Sequence, residues 1–578
     1  MISGLFKIIS ASVMCALLIA VQFACRETPG STTQEDKSWL DQLILENDLL
    51  VPQTIKSQVQ DTTHPYYGAL PDVYDIPHPS SPSGLIQQLT CAYVSPSSKY
   101  FHDGTLLKSM EAGIDYILRC QHEDGTIDLL TTNFHSTPDL AFTVEPTALA
   151  YKLLSKDDHE ASLTLRQKLK TFLWRGGEAL SVGGIHTPNH RWVVSMALAR
   201  INELFPNEKY LHRIDQWLAE GIDIDADGQY NERSTSVYSP LSDRWLITMA
   251  RILNRPELFV PVRKNLDMTQ YLIHTNGDLV TELSKRQDQY TTAPCQAYFL
   301  PYLLLGIYQR DSQYMKMARW INTKFGVKAL SGNLAYILED VSALASFDGE
   351  VQPNYPLSHF EKYFEKSALV RWSDGKSDAT FIAHNPILFS LQYPDIHLRA
   401  VRCAAAFFGK GQFIGDTLYS TQDGYELTQY MEGPYFQPLA KDSVTGDGDW
   451  DKMPREKRQQ SEIQHLNYKL QVSKRQGAYH LNFSIQGTDK VPVAIELNFD
   501  ESNQFATQLH EVPNTELAYF LEKDDLIIKN GSGRMIIQGG RHDHSWTNLR
   551  GALPRLKGKS VYITGFTPFE HELMIQLH

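Results

Sequence analysis

The sequence predicts an α+β multidomain chain, an N-terminal (α/α) toroid followed by a C-terminal antiparallel β-sandwich. Three observations lead there. A chain of 578 residues exceeds what one hydrophobic core organises, so it divides into two or three domains. From about Trp39 to Phe325 apolar residues recur at helical spacing, whereas from about Ser367 they fall into short runs at strand spacing with turn residues between. Helices first and strands second, without alternation, give two domains and not an α/β fold. The first is expected over 38–345 and the second over 346–578.

Ahead of both, residues 1–25 read as an export signal. Lys7 is the only early charge, and the apolar run 8–21 is too short and too early for a membrane span. Gln22-Phe23-Ala24-Cys25 places a small residue before a cysteine and resembles a bacterial lipoprotein cleavage site, although Gln22 and Phe23 depart from the usual pattern. The resemblance implies a lipid on Cys25, a polar tether over 26–37, and a protein that is periplasmic or anchored at the outer membrane of a Gram-negative cell. The membrane enters only through that anchor. Cys91, Cys120, Cys295 and Cys403 show no metal-type spacing. Export permits a Cys91–Cys120 disulfide, but isolated buried thiols are the simpler expectation.

Within the helical region, Leu106, Leu107, Met110, Ile114 and Ile117 mark one amphipathic face, and Val193, Ala197 and Ile201 mark another. Further helices are expected over 217–222, 246–253, 297–308 and 314–323. No strict repeat is visible, so stacked helical hairpins are expected to close into a toroid and not to run on as an open solenoid. Strands are expected at 368–372, 379–383, 387–392, 413–416, 466–472, 478–485, 493–499, 526–529, 535–538, 561–564 and 573–577, with a polar loop over 443–458.

The net charge of −13 argues against a nucleic-acid partner, and an anionic ligand would need a local basic cluster to attract it. Two segments concentrate reactive side chains. In the first, Gly183-Gly184 precedes Thr187-Pro188-Asn189-His190-Arg191-Trp192. Thr187 suits an N-cap and Pro188 the first helical position, which puts Asn189 and His190 in the first turn. The positive helix end would keep His190 neutral and attract a carboxylate. The second segment runs Asp227-Gly228-x-x-x-Glu232-Arg233-Ser234-x-x-x-Tyr238, with Arg233 expected to favour the Tyr238 phenolate.

Asn133, His135 and Asp139 precede an apolar stretch, as a pocket loop or an ordinary capped helix start would. Lys285 and Arg286 read as surface charges unless they join a site. Asp223-x-Asp225-x-Asp227-Gly228 begins like a calcium loop but has Ser234 at the twelfth position, and Asp447-x-Asp449-x-Asp451 has similar spacing. No cofactor is required, and structural calcium is the one metal these segments leave room for.

These segments resemble the alginate lyases and heparinase II/III-like lyases. Those families combine an (α/α) toroid with a β-sandwich. They carry an Asn or Asn-His at a helix start, and a later Asp-Gly-x-x-x-Glu-x-Ser-x-x-Tyr segment with the catalytic tyrosine. Here the matching residues are Asn189, His190, Asp227, Gly228, Glu232, Ser234 and Tyr238, with Tyr238 one position late. The resemblance implies an acidic polysaccharide or oligosaccharide substrate cleaved by β-elimination. Asn189, His190, Glu232 and Tyr238 would then be catalytic, while Arg191, Trp192, Arg233, His135 and Asp139 contact substrate. The chain is also similar to toroid glycosidases that release terminal glucuronic acid. In that case two carboxylates among Asp139, Asp225, Asp227 and Glu232 would act as acid and base. A surface glycan-binding lipoprotein without catalysis is the third reading.

Overall fold

The computed structural model describes residues 38–344, 347, 349–446 and 448–578. The signal, the Cys25 anchor, the tether and Asp447 lie outside the described residues. The chain forms two compact units, a helical one running to Pro356 and a β unit from Leu357 to His578, with His274–Asn276 counted in the β unit. Among the described residues no helix is long and apolar enough to cross a membrane.

The helical unit is an (α/α) toroid built from α1 (Trp39–Lys56), α2 (Pro82–Val94), α3 (Gly104–Cys120), α4 (Thr137–Asp157), α5 (Leu163–Val182), α6 (His190–Leu204), α7 (Glu208–Ala219), α8 (Tyr238–Ile252), α9 (Phe259–Thr269), α10 (Phe299–Tyr308), α11 (Ser312–Leu330) and α12 (Leu334–Glu339). Helices α2, α4, α6, α8 and α10 pack in succession as an inner series, and α1 lies against both α2 and α11. Burial distinguishes the layers. Every residue of α6 from His190 to Ile201 is buried, whereas α7 buries only Tyr210 and Ile214. A helix apolar all round belongs inside, and one with a single apolar stripe covers it.

The inner helices are tied together at their C-terminal ends. Glu339 of α12 receives Lys152 of α4 at 2.9 Å, Arg200 of α6 at 3.1 Å and Arg251 of α8 at 2.6 Å. Beside it, Glu145 of α4 takes Arg244 at 2.7 Å and the Trp245 indole N–H at 3.1 Å, both from α8. Burial alone would push the Glu339 carboxyl up, but Arg200, Arg251 and Lys152 outweigh it and hold the group well below the usual carboxylate range.

The β unit holds two sheets. One runs, in spatial order, Gln504–Phe505, Leu526–Asn530, Gly533–Gln538, Phe569–Leu577, Ala478–Gly487, Gln460–Arg475, Gly424–Phe436, Thr417–Thr421. The other runs His510–Glu511, Ala518–Phe520, Lys559–Phe566, Pro492–Phe499, Ile396–Ala405, Phe389–Tyr393, Asp378–Ile382, Leu369–Asp374, His359–Phe364. Pairing is antiparallel except between Ala518–Phe520 and Lys559–Phe566. The two inner faces share one core that includes Val401, Leu470, Phe483, Ile495 and Ile563.

The expected helix at 217–222 ends early, because α7 stops at Ala219 before the Gly221 turn, whose φ is +83°. Residues 413–416 make no strand beyond a bridge at Gln412, and the next strand starts at Thr417. Cys91, Cys120, Cys295 and Cys403 are free thiols, so no Cys91–Cys120 disulfide forms.

Replacing Glu339 by Gln would leave three cations around a neutral amide. We expect a loss of about 3–5 kcal/mol at neutral pH, read from the denaturant midpoint. The folded carboxyl is depressed, so its stabilisation is present above the unfolded value of about 4.3 and is lost as pH falls. The gap between wild type and Glu339→Gln should therefore narrow in acid.

Candidate active site

The starts of α4, α6, α8 and α10 are linked in sequence by their preceding loops. Thr137 Oγ1 donates to the Gly184 carbonyl at 2.5 Å, joining the start of α4 to the loop before α6. A Cβ on Gly183 would lie 2.1 Å from Thr137 Cγ2, so only glycine allows this approach. The Asn189 backbone N–H donates to Glu232 Oε1 at 3.2 Å, joining α6 to the loop before α8. Ser234 and Ser236 donate to the two oxygens of buried Asp288 at 3.1 and 3.0 Å, joining that loop to the one before α10. Ser284 donates to the same Asp288 carboxylate. Gly228, at φ +107°, lets the second loop pass against the Lys264 carbonyl, where a Cβ would sit at 2.3 Å.

Helix α6 starts at His190, later than expected from Thr187-Pro188. Thr187 does not cap the backbone; its hydroxyl donates to Asn189 Oδ1 at 2.7 Å, and the Asn189 N–H that a cap would have used goes to Glu232. That fixes the Asn189 amide with its nitrogen unspent. Asn189 Nδ2, His190 Nδ1 and Glu232 Oε2 are all buried without a hydrogen-bond partner. Each orphaned polar atom costs free energy unless a ligand or water satisfies it.

The electrostatics follow from burial. His190 is 9 % exposed, and burial, with His186 and Arg286 adding, pushes its imidazole down to about 3. The helix start was expected to do this, but removal from water is the larger cause. The ring meets Phe142 of α4 edge-on at 6.5 Å and His186 at 4.6 Å. Burial also raises the Glu232 carboxyl above the usual range, against the opposing effects of the Asn189 N–H and Arg286. The Arg286 Nε lies 3.5 Å from Glu232 Oε2, and its guanidinium covers the Tyr238 ring at 5.2 Å. Tyr238 opens α8 half-buried, with its N–H on Ser234 Oγ and its hydroxyl accepting from Gln287 Nε2 at 3.4 Å.

Arg286 thus joins Glu232, and through it the Asn189 backbone, to Tyr238, and its charge acts on His190, while the five expected substrate contacts are engaged elsewhere. Trp192 is fully buried and donates to Asp223 Oδ1 at 2.8 Å, because it lies on the inward side of a helix buried all round. Arg191 is held by Glu220 at 3.3 Å, Asp223 at 3.2 Å and the Gly221 carbonyl at 3.1 Å. Arg233 adopts φ +47° and lies 4.0 Å from Asp225, so the cation at Tyr238 is Arg286. His135 stacks on His122 at 3.9 Å and pairs with Asp124 at 2.7 Å. Asp139 accepts from Ser136 at 2.5 Å and Asn133 at 2.9 Å, closing the start of α4.

The Asp223–Asp227 loop folds on itself. Asp225 Oδ1 accepts the backbone N–H groups of Asp227, Gly228 and Gln229 within 3.0 Å. Among the described residues no group of three or more His, Cys, Asp or Glu could hold a metal ion. Sequence reasoning undervalued Arg286 and passed over Asp288. Their only signal was a Lys285-Arg286-Gln287-Asp288 run, indistinguishable from surface charge.

No protein-family model and no curated protein matches the sequence. The fold is similar to that of a Paenibacillus xanthan lyase, at TM-score 0.55 and 9% identity, over 93% of this chain and 57% of that one. The chain therefore spans little more than half the length of that protein. The fold is also similar to that of the Streptomyces coelicolor A3 chondroitin AC lyase in complex with chondroitin sulphate, at TM-score 0.55 and 12% identity, over 95% and 80% of the two chains. A heparinase III matches at TM-score 0.50 and 10% identity, over 85% and 75%. All three are polysaccharide lyases, and at these identities the likeness is one of fold.

His190 should stay neutral down to about 3. Its folded value lies below the unfolded value of about 6.5, so the protein loses stability as pH falls from 6.5 toward 3. His190→Gln removes this dependence. Wild type should lose more stability than His190→Gln when denaturant midpoints are compared at neutral pH and at pH about 4. Equal losses would place the His190 imidazole in water.

Proposed function

We propose that the helical unit cleaves a uronic-acid-containing polysaccharide by β-elimination. The observation that carries this reading is the pair of buried polar atoms without a hydrogen-bond partner, Asn189 Nδ2 and His190 Nδ1, beside the Glu232–Arg286 ion pair and the Tyr238 hydroxyl. Asn189 Nδ2 and Arg286 would receive the uronate carboxylate. Drawing charge from that group makes the C5 proton more acidic, because the carbanion formed on its removal is stabilised as an enolate-like dianion. His190, held neutral, or Tyr238 would accept the C5 proton. Tyr238 would deliver a proton to the departing O4 as the C4–O4 bond breaks, leaving a C4–C5 double bond. Buried Glu232 fits a positioning role, since it binds the Asn189 backbone and Arg286 together. The likeness to lyases of xanthan, chondroitin and heparin type supports the reaction class, and the particular uronate and linkage stay part of the proposal. Export, with the chain held at a membrane through Cys25, is proposed with it, since such polymers are met outside the cell.

One observation favours a hydrolase as second reading. Burial raises the Glu232 carboxyl, as a general acid requires. Of the other carboxylates named for such a mechanism, Asp139, Asp225 and Asp227, Asp225 is engaged in a turn and Asp139 in a helix start.

The two readings rank variants differently. On one acidic glycan, Tyr238→Phe should lose about 10³-fold or more in turnover, a larger loss than Glu232→Gln, with unsaturated product detected by ultraviolet absorbance. An inactive Glu232→Gln beside a Tyr238→Phe enzyme that still releases saturated uronic acid would establish the hydrolase.

A further inference from the structure

The β unit contains a hollow of 320 Å³ on the face of the nine-stranded sheet that points away from the shared core. Strand alternation creates it. Val401 and Cys403, like Ile495 and Leu497, point into the core, which leaves Arg402, Ala404, Ala494 and Glu496 on the other face. Glu496 pairs in register with Arg402 on one side and Tyr562 on the other, so the three form a row across three strands. The neighbouring pair is Ala494 with Ala404, and these two small side chains leave the space. The segment around 547–555 roofs it, with Leu549 packed on the two alanines and the Leu553 N–H donating to Gln412 Oε1 at 3.0 Å.

The floor is charged and buried. Arg402 is 4 % exposed, and its NH1 reaches Glu496 Oε2 at 3.2 Å and the Pro554 carbonyl at 3.0 Å, while its Nε has no partner. Glu496 accepts from Ser560 at 2.7 Å. Arg555 stands at the rim with one nitrogen on the Gly558 carbonyl at 2.7 Å. Two guanidinium groups against one carboxylate leave positive charge. A buried guanidinium with an unused N–H is best satisfied by an anionic oxygen. Thr515, Thr547 and Asn548 complete the lining with neutral hydrogen-bonding groups. The volume lies at the small end of ligand pockets.

We propose that this hollow is a binding site for a single carboxylate-bearing sugar, its carboxylate on Arg402 and Arg555 and its hydroxyls on the threonines and Asn548. It is not a catalytic site, because it presents no exposed acid–base pair, and the proposal stands whether or not the helical unit is a lyase. Calorimetry or saturation-transfer NMR of the whole protein with glucuronic acid, glucose and acetate tests it. Glucuronic acid should bind with Kd on the order of 1 mM, and glucose and acetate at least about tenfold more weakly. Arg402→Gln and Arg555→Gln should each weaken glucuronic acid about tenfold or more. Should Arg402→Gln fail to fold, the half-buried Arg555→Gln decides alone. Acetate binding as tightly as glucuronic acid, or unaltered affinity in Arg555→Gln, would overturn the assignment.

Discussion

The helical unit depends on the convergence of Lys152, Arg200 and Arg251 on the one carboxylate of Glu339. Each cation lies near the C-terminal end of an inner helix, where it also offsets the negative end of the helix dipole. Three helices that meet a common counter-charge at one end must run in the same direction. Their starts are thereby gathered at the other end, about 20 Å or more away for a helix the length of α6. Removal of Glu339 would strand three partly desolvated cations, so the arrangement is also a source of vulnerability.

The opposite end collects unused hydrogen-bonding capacity in place of neutralised charge. The starts of the inner helices present N–H groups, and the loops that precede them interlock through Glu232 and Asp288. The outcome is an interlocked rim that carries a neutral imidazole and an amide nitrogen, with a guanidinium over the ring of a phenol. Arg286 supplies a local positive charge on this rim. It suits an anionic ligand even though the chain carries a net charge of −13. Burial sets His190 and Glu232 in opposite senses, one unable to gain a proton and the other readier to keep one.

The fold class was legible because two periodicities occupy separate halves of the chain, with Met110, Ile114 and Ile117 at helical spacing in one half and Val493, Ile495 and Leu497 alternating in the other. Strands such as Gly424–Phe436 were not legible, since exposed polar residues and a Gly433-Pro434 pair hide their alternation. Asn189, His190, Glu232 and Tyr238 were singled out by motif spacing, and the structure joins Glu232 to the Asn189 backbone and, through Arg286, to Tyr238. Arg191, Trp192 and Arg233 were chosen because they are adjacent in sequence to those residues. Both Arg191 and Trp192 turn to the same Asp223 carboxylate, with the Arg191 guanidinium 4.5 Å over the Trp192 ring. The reverse failure concerns Arg286, which is distant in sequence and arrives only because Asp288 pins its loop to Ser234 and Ser236. Such a contact between loops has no periodic trace. The hollow beside Arg402 was invisible for a similar reason, since it depends on the cross-strand register of Ala404 with Ala494.

We propose that the gathered helix starts receive the carboxylate of a uronate. A crystal structure of the Tyr238→Phe protein soaked with an acidic oligosaccharide tests it most directly. We predict a uronate carboxylate within hydrogen-bond distance of Asn189 Nδ2 and the Arg286 guanidinium, with its C5 facing His190 and the position of the missing phenol oxygen. An oligosaccharide bound in the helical unit with its carboxylate away from both Asn189 and Arg286, or one bound only in the β unit, would contradict the account.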